Sequence, residues 1–540
     1  MLGLIFTCIL GFLLRLIGIV KPEGLWNDEY VSWSIASTSF SDGFVQAMLS
    51  QCHMPFYYLY LKMCMFFGGN GDTFLRVTSL IPGVLSIIVM YFVGLRYNRK
   101  CAIFAALITS LSSFLIYYSQ EVRLYSLLFL FSALSLLYLL KYLGNRTLTN
   151  LGGLLLFDFL IMFTHTIGFV FVFFELLVLS FLIFKEEKKR VAVFWTISTV
   201  LFLILLPNIY HIISGKSFAQ WWGVFSRSKI GFLFTDYFSP VLTNLVNAPD
   251  KFLYNTHIMF LFFLLVPTLM ALVFTGKAVW KNKQNSALFL IVCLLVLVMA
   301  VTAKSGKLVF ITKYSVEIYP ILIFLAAYGA ASFTTKYLGN ILMTAFCVIN
   351  AWYLVFSPVS APKMPRPEGH KLVADLISHA EPKKDDIILL QYYDKDRFNK
   401  YFDFSDYRTL SVNKGNFHEY LAENGVYSEI YKDGKTIYEP VFKKSGKGYI
   451  DYKLQKEVVD ELKDGQSVIV IVNDSVAFYN NEIMKKIVSD SYVYKKIPLL
   501  FLVFSYVSNH TVDTLSESLK IARAEKIGTW SLIKFTKVNK

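Results

Sequence analysis

The sequence predicts a multi-pass α-helical membrane protein of about eleven spans, followed by a smaller, polar α/β domain. Three observations predict this. The mean hydropathy of +0.51 lies well above that of soluble globular chains. Apolar runs alternate with short basic clusters from Leu2 to Phe356. At Ser357 the composition turns polar, behind a stiff linker holding Pro358, Pro362, Pro365 and Pro367. The expected domains are therefore 1–357 in the membrane and 358–540 outside it.

The first run, Leu2 to Val20, has no Lys or Arg in its leading residues and no small-residue cleavage site after it, so it reads as a retained span. Arg15 lies deep within that run, where an arginine must snorkel, pair or face a wet cavity. A long loop, 21–73, opens with Trp26-Asn27-Asp28-Glu29-Tyr30. Val31 to Leu49 then reads as an interfacial helix, and the segment from His53 to Phe67 as a short apolar one.

Spans follow at Phe74–Leu95, Cys101–Ile116, Leu127–Leu140, Leu151–Phe163, Ile167–Phe184 and Val191–Ile213. After a second long loop, 214–257, come Ile258–Phe274, Ser286–Ala303, Tyr314–Ala331 and Ile341–Phe356. The clusters Arg96/Arg99/Lys100, Lys141/Arg146, Lys185–Arg190 and Lys277/Lys281/Lys283 all fall on one side of this arrangement. By the positive-inside rule that side is cytoplasmic, which leaves both long loops, the turn 117–126 and the tail outside.

In the tail, Glu368–Ala380 and Ser516–Glu525 read as helices. Asp386–Tyr392, Ser467–Val472 and Thr529–Phe535 read as strands, with Leu499–Val507 as a further buried one.

The net charge of +15 does not point to nucleic acid, because the basic residues form topology clusters and not one stripe. The six cysteines all precede the tail and form no CxxC pair, which argues against a disulfide framework or zinc site.

Chemistry has one obvious address. The topology gathers Asp28, Glu29, His53, Glu121, Arg123, Lys304, Lys307 and Lys313 at the outer face, with Arg15 below Asp28. Taken singly, each is more often a solvated loop charge or a topology marker. Together they place acid and base where a lipid phosphate would sit. Neighbours in a helix differ by about 100°, so Asp28 and Glu29 cannot both aim at one atom. Asp158 and His165 stand seven residues apart on one helix face. Asp158 and Glu175 read equally well as structural contacts in the bundle, and Trp221 and Trp222 as sugar-stacking or interface-belt residues.

Four blocks carry a resemblance. They are Arg15-Leu16 through Leu25-Trp26-Asn27-Asp28-Glu29, His53-Met54-Pro55-Phe56-Tyr57-Tyr58, Tyr117 to Ser126, and Thr164-His165. In order and spacing they resemble glycosyltransferase family 39, the protein O-mannosyltransferase and aminoarabinose-transferase group of GT-C fold. Met54 stands where that family has a first proline. Lys313-Tyr314, before a span with Pro320, is similar to the family's Arg-Tyr. The tail carries none of these blocks.

The resemblance implies a cell-membrane enzyme that moves one sugar from a polyprenyl-phosphate donor to an acceptor hydroxyl at the outer face, with inversion. The acceptor would be a glycan, a lipid or a protein. Asp28 would be the catalytic base, with Glu29 in support. Arg15, His53, Tyr57, Glu121, Arg123, Tyr125, His165 and Lys313 would bind substrate. No cofactor is required, and a divalent cation is compatible with the scheme. A polysaccharide polymerase or ligase shares the donor and the face. A secondary transporter fits less well, because no internal repeat is visible.

A cysteine introduced into the tail is expected to react with an impermeant thiol reagent in intact cells. Labelling only after permeabilisation would reverse the topology.

Overall fold

A computed structural model describes residues 2–21, 24–50, 54–214, 228–241, 257–304, 311–335, 337–357 and 360–362 of the predominantly helical part. In the tail it describes 370–379, 381–384, 386–391, 398–412, 429–432, 435–438, 467–473, 520–527 and 530–536. The helices are α1 (Leu2–Leu16), α2 (Asn27–Ser37), α3 (Phe44–Ser50), α4 (Pro55–Gly68), α5 (Asp72–Leu95), α6 (Arg99–Leu111), α7 (Ser113–Ser119) and α8 (Tyr125–Gly144). They continue as α9 (Leu148–Thr164), α10 (Gly168–Ser214), α11 (Ser228–Phe238), α12 (His257–Lys281), α13 (Lys283–Lys304), α14 (Tyr319–Ala331), α15 (Leu338–Phe356) and α16 (His370–His379). A 3-10 turn, Thr312–Ile318, leads into α14.

Among the described residues, eight helices are long and apolar enough to cross a membrane. The bent pair α6–α7 and the shorter apolar helices α1 and α9 bring the total to the eleven expected segments. The chain is thus a multi-pass helical membrane protein. Its expected spans 167–184 and 191–213 are the two arms of α10, which breaks at Glu187 (φ −134°, ψ 41°). The Glu187 carboxylate lies 3.3 Å from Arg190 and 3.9 Å from Arg146, so the basic loop carries its own counter-charge. The expected interfacial helix 31–49 divides into α2 and α3, and Lys62 of α4 donates to Ala36 O and Thr38 O at the end of α2. A cation there complements the helix dipole.

The contacts divide the chain into two units, one of Met1–Val20 with Val31–Met364 and one of Lys21–Tyr30 with Pro365–Lys540. In the second, strands β1 (Ile387–Gln391), β2 (Arg408–Val412), β5 (Ser467–Asn473), β6 (Lys520–Ile527) and β7 (Trp530–Thr536) form one sheet ordered β2-β1-β5-β7-β6. β1 runs parallel to β2 and β5, whereas β7 is antiparallel to β5 and β6. β3 (Glu429–Lys432) and β4 (Lys435–Tyr438) pair as a separate hairpin. The expected strands near 386, 467 and 529 and the helix near 368 are present. The expected helix Ser516–Glu525 is not: Lys520–Ile527 pairs along β7 as an edge strand. Its lysines, arginine and glutamate favour a helix locally, yet they also suit an exposed sheet edge, and the pairing decides. Leu499–Val507 lies outside the described residues.

Three polar locks set the helices of the first unit in register. Arg15 is fully buried, and its guanidinium donates to Thr109 O (3.0 Å), Ser110 O (3.3 Å), Gly11 O (3.0 Å) and Ser119 Oγ (3.2 Å). Thr109 and Ser110 sit in the last turn of α6, whose carbonyls have no helical partner because the chain bends by 57° into α7. Serines drive the break: Ser112 caps α7 by accepting from Leu115 N. The lock is reciprocal, since Gln120 Nε2 reaches the carbonyls of Leu14 (3.4 Å), Arg15 (3.0 Å) and Ile17 (2.6 Å) at the end of α1. Glycine makes the space: a Cβ on Gly83 would lie 2.1 Å from Ser119 Oγ and 3.3 Å from Arg15 Nε.

The other two locks are prolines. Pro82 in α5 has no N–H for the carbonyl of Thr78, and Tyr60 of α4 donates to it instead at 2.8 Å. Pro267 in α12 likewise leaves Phe263 O to Ser239 Oγ, at 3.2 Å. Replacing Arg15 with Met is expected to leave the α6 carbonyls unpaired and cost about 3 kcal/mol. A lower unfolding midpoint of the purified protein in detergent checks this; an unchanged midpoint would remove Arg15 from the framework.

Candidate active site

The turn Gln120–Leu124 between α7 and α8 is held from several directions. Gln120 is locked to α1, Ser79 Oγ donates to Arg123 O (3.3 Å), and Ser126 Oγ donates to Tyr118 O (3.1 Å). Glu121, Arg123 and Tyr125 are all buried. The Arg123 guanidinium contacts Ser32 Oγ at 3.4 Å and lies 5.8 Å from the centre of the Tyr125 ring. Lys313, from the 3-10 turn, lies 5.7 Å from the same ring and 5.7 Å from that of Tyr314. Two cations from distant parts of the chain therefore share one aromatic face group, an arrangement that cation–π attraction favours. Tyr57 lies within electrostatic reach of Arg123, and Tyr118 within reach of Lys313 and Glu121.

The 3-10 turn that carries Lys313 is clasped from three sides. His165 Nδ1, at the end of α9, is 2.6 Å from Glu317 Oε1. Thr312 Oγ1 donates to Asp236 Oδ2 of α11 at 2.6 Å. The Tyr237 hydroxyl lies 2.9 Å from Ser315 Oγ, and its ring stacks on Tyr319 with centroids 4.2 Å apart. The Tyr319 hydroxyl donates to Tyr237 O.

In the second unit, Asp28 and Glu29 occupy the first turn of α2, where carboxylates oppose the positive helix end. Glu29 is fully buried, and its Oε2 accepts from Trp26 N at 3.2 Å, the return half of a capping box. Asp28 is half-buried.

The structure thus brings together Arg123, Tyr125 and Lys313, with Glu121 and Tyr57 close by. Two groups of residues singled out in the sequence make other contacts. Arg15, expected to bind substrate, donates to the carbonyls of Gly11, Thr109 and Ser110 and to Ser119 Oγ. The shared helix face of Asp158 and His165 joins them in no contact. Asp158 Oδ1 instead accepts from Ser135 Oγ (2.7 Å), beside Glu175 Oε2 (2.9 Å), because partners on α8 and α10 lie nearer than a neighbour two turns away. His53, Trp221, Trp222 and Lys307 lie outside the described residues. Sequence reasoning missed Glu317 and Asp236 as supports of the Lys313 turn. The signal for Glu317 was present, as a carboxylate inside an otherwise apolar expected span. Asp236 had none, since its partner is 76 residues away. Among the described residues, no group of three or more His, Cys, Asp or Glu side chains is arranged to hold a metal ion.

With this geometry in hand, comparison with known proteins is informative. Residues 51–211 match the family model described as dolichyl-phosphate-mannose-protein mannosyltransferase, a range that includes the Arg123 turn and His165 but begins after Asp28. No curated protein matches the chain. Among solved structures it is similar to ArnT from Cupriavidus metallidurans in the apo state, with TM-score 0.55 and 10% identity over 99% of this chain and 97% of that one. ArnT from the same organism bound to undecaprenyl phosphate gives a TM-score of 0.50 at 11% identity, with the same coverage. The chain thus has the fold of the GT-C glycosyltransferase superfamily, and its residues 51–211 carry the pattern of the dolichyl-phosphate-mannose-protein mannosyltransferases.

Proposed function

We propose that this chain transfers a single sugar from a polyprenyl-phosphate donor to an acceptor hydroxyl at the outer face of the cell membrane, with inversion. The observation that carries the reading is that Arg123, in a turn locked against α1, and Lys313, in the clasped 3-10 turn, both lie beside the Tyr125 ring. A fixed pair of cations suits a phosphate anion, and the planar fork of Arg123 suits two of its oxygens at once. That an ArnT structure holds undecaprenyl phosphate on the same fold supports this donor class.

In the proposed step the acceptor oxygen bonds to the anomeric carbon as the bond from that carbon to the phosphate oxygen breaks. The electron pair leaves on the phosphate, whose growing charge Arg123 and Lys313 stabilise, so no general acid is needed. Asp28 takes the acceptor proton. Glu29 fixes the start of α2 through its cap. His165 and Glu317 hold the Lys313 turn.

The test is turnover by the purified full-length protein on a panel of synthetic polyprenyl-phosphate hexoses and pentoses, with cell-envelope membranes as acceptor source. Mass spectrometry of the product is expected to find one added sugar. Transfer of a whole glycan would favour a polymerase or ligase, and no consumption of any lipid-linked sugar would overturn the reading. Arg123→Ala is expected to lower turnover at least about a hundredfold while the protein stays folded, and Arg123→Lys to restore only part. A fully active alanine variant would make Arg123 a packing residue. Asp28→Asn is expected to lose at least about a hundredfold in kcat with donor binding retained. Glu29→Gln, which keeps an acceptor for Trp26 N, is expected to be milder; the reverse order would move the base to Glu29.

A further inference from the structure

We infer that the carboxyl-terminal unit holds the segment bearing the proposed base, with Tyr401 and the amino end of α16 as its positioning elements. The inference rests on Asp28 being that base. It starts from the grouping of Lys21–Tyr30, which ends in the first turn of α2, with Pro365–Lys540.

The contacts behind this grouping are specific. Leu25 is completely buried and held at both of its backbone polar groups. Its N–H donates to the Tyr401 hydroxyl at 2.9 Å, and its carbonyl accepts from His370 N at 3.1 Å. His370 is the first residue of α16, so its N–H is one of the helix-end donors that have no partner within the helix. Five residues after Leu25, the Tyr30 ring meets the buried His370 ring edge-on at 5.1 Å, and His370 meets Phe398 at 5.3 Å. Asp28 lies between these two attachments. Gly24 explains why the approach can be so close. It sits at φ +75°, and a Cβ there would fall 2.4 Å from Lys371 Cβ and 3.0 Å from the Tyr401 hydroxyl.

Leu25 is completely buried, so its two backbone groups need partners in any case; what bears on function is that both partners, Tyr401 and His370, belong to the tail. A general base must meet its proton within hydrogen-bond reach, so a shift of about 1 Å in this segment is felt in the chemical step. The tail is, on this reading, part of the catalytic apparatus.

The experiment compares the full-length protein with Tyr401→Phe, Gly24→Ala and the control Lys384→Ala, whose exposed partner Asp406 lies 3.4 Å away on the surface of the same unit. The donor is whichever polyprenyl-phosphate sugar of the panel is turned over. Tyr401→Phe is expected to lower kcat about threefold to tenfold with the donor KM unchanged, Gly24→Ala at least about tenfold, and Lys384→Ala not at all. In an Asp28→Asn background Tyr401→Phe should cause no further loss, because the two changes act through one group. Hydrogen exchange followed by mass spectrometry, which needs no donor, should show faster exchange across 25–30 in Tyr401→Phe and not in Lys384→Ala. Should Gly24→Ala fail to fold, Tyr401→Phe decides alone. Normal kcat and exchange in Tyr401→Phe, or equal losses with and without Asp28, would overturn the inference and leave the base assignment standing. Full activity of Asp28→Asn would instead remove the base assignment, and this inference with it.

Discussion

A guanidinium buried in a helix bundle without a carboxylate beside it is the constraint around which the membrane unit is built. Moving such a cation out of water costs several kcal/mol even after relaxation. Among the described residues, Arg15 meets that cost with oxygen dipoles, two of them at the negative end of α6. Those carbonyls are open only because α6 stops at Leu111 and the chain turns through Ser112. The broken helix and the buried cation therefore require one another. The residues downstream inherit their geometry: α7 is short, Gln120 lands on the end of α1, and Arg123 emerges three residues later at a defined place.

The Lys313 turn is organised differently. Its 3-10 conformation has poor internal hydrogen bonding, and its order comes from outside, through His165, Asp236 and Tyr237. His165 stands at the end of α9, and Asp236 and Tyr237 are neighbours in α11, so the turn reports on the packing of both helices at once. Arg123 is thereby set by a lock at the start of the chain and Lys313 by clasps from its middle, and Tyr125 is where the two systems meet.

Much of this was legible from the residues and some of it was not, for physical reasons. The spans were legible because a bilayer demands long apolar segments and basic loops mark one side. The different directions of Asp28 and Glu29 were legible because adjacent helical positions diverge by about 100°, and the Glu29 carboxylate goes to the cap at Trp26 N. The break at Ser112 was hidden, since the side chain that satisfies the carbonyls it opens lies 94 to 95 residues earlier. The same-face argument for Asp158 and His165 failed because a helix face states only what is near along one helix. Ser135 and Glu317, on other elements, were nearer. The grouping of Lys21–Tyr30 with the tail was equally invisible, depending on a contact across 376 residues.

The proline gaps in α5 and α12 bear on how a bundle in lipid selects one arrangement among many. Lipid tails solvate leucine as well as another helix does, so apolar packing alone discriminates weakly between rotational settings of neighbouring helices. An open carbonyl is different: it points in one direction at one height and is satisfied by one hydroxyl. Tyr60 at Thr78 and Ser239 at Phe263 therefore act as indexing marks that convert an oily, forgiving contact into a discrete one. The information lies in where the proline stands. Sliding Pro82 by a single position would turn its vacancy by about 100° around α5, away from Tyr60.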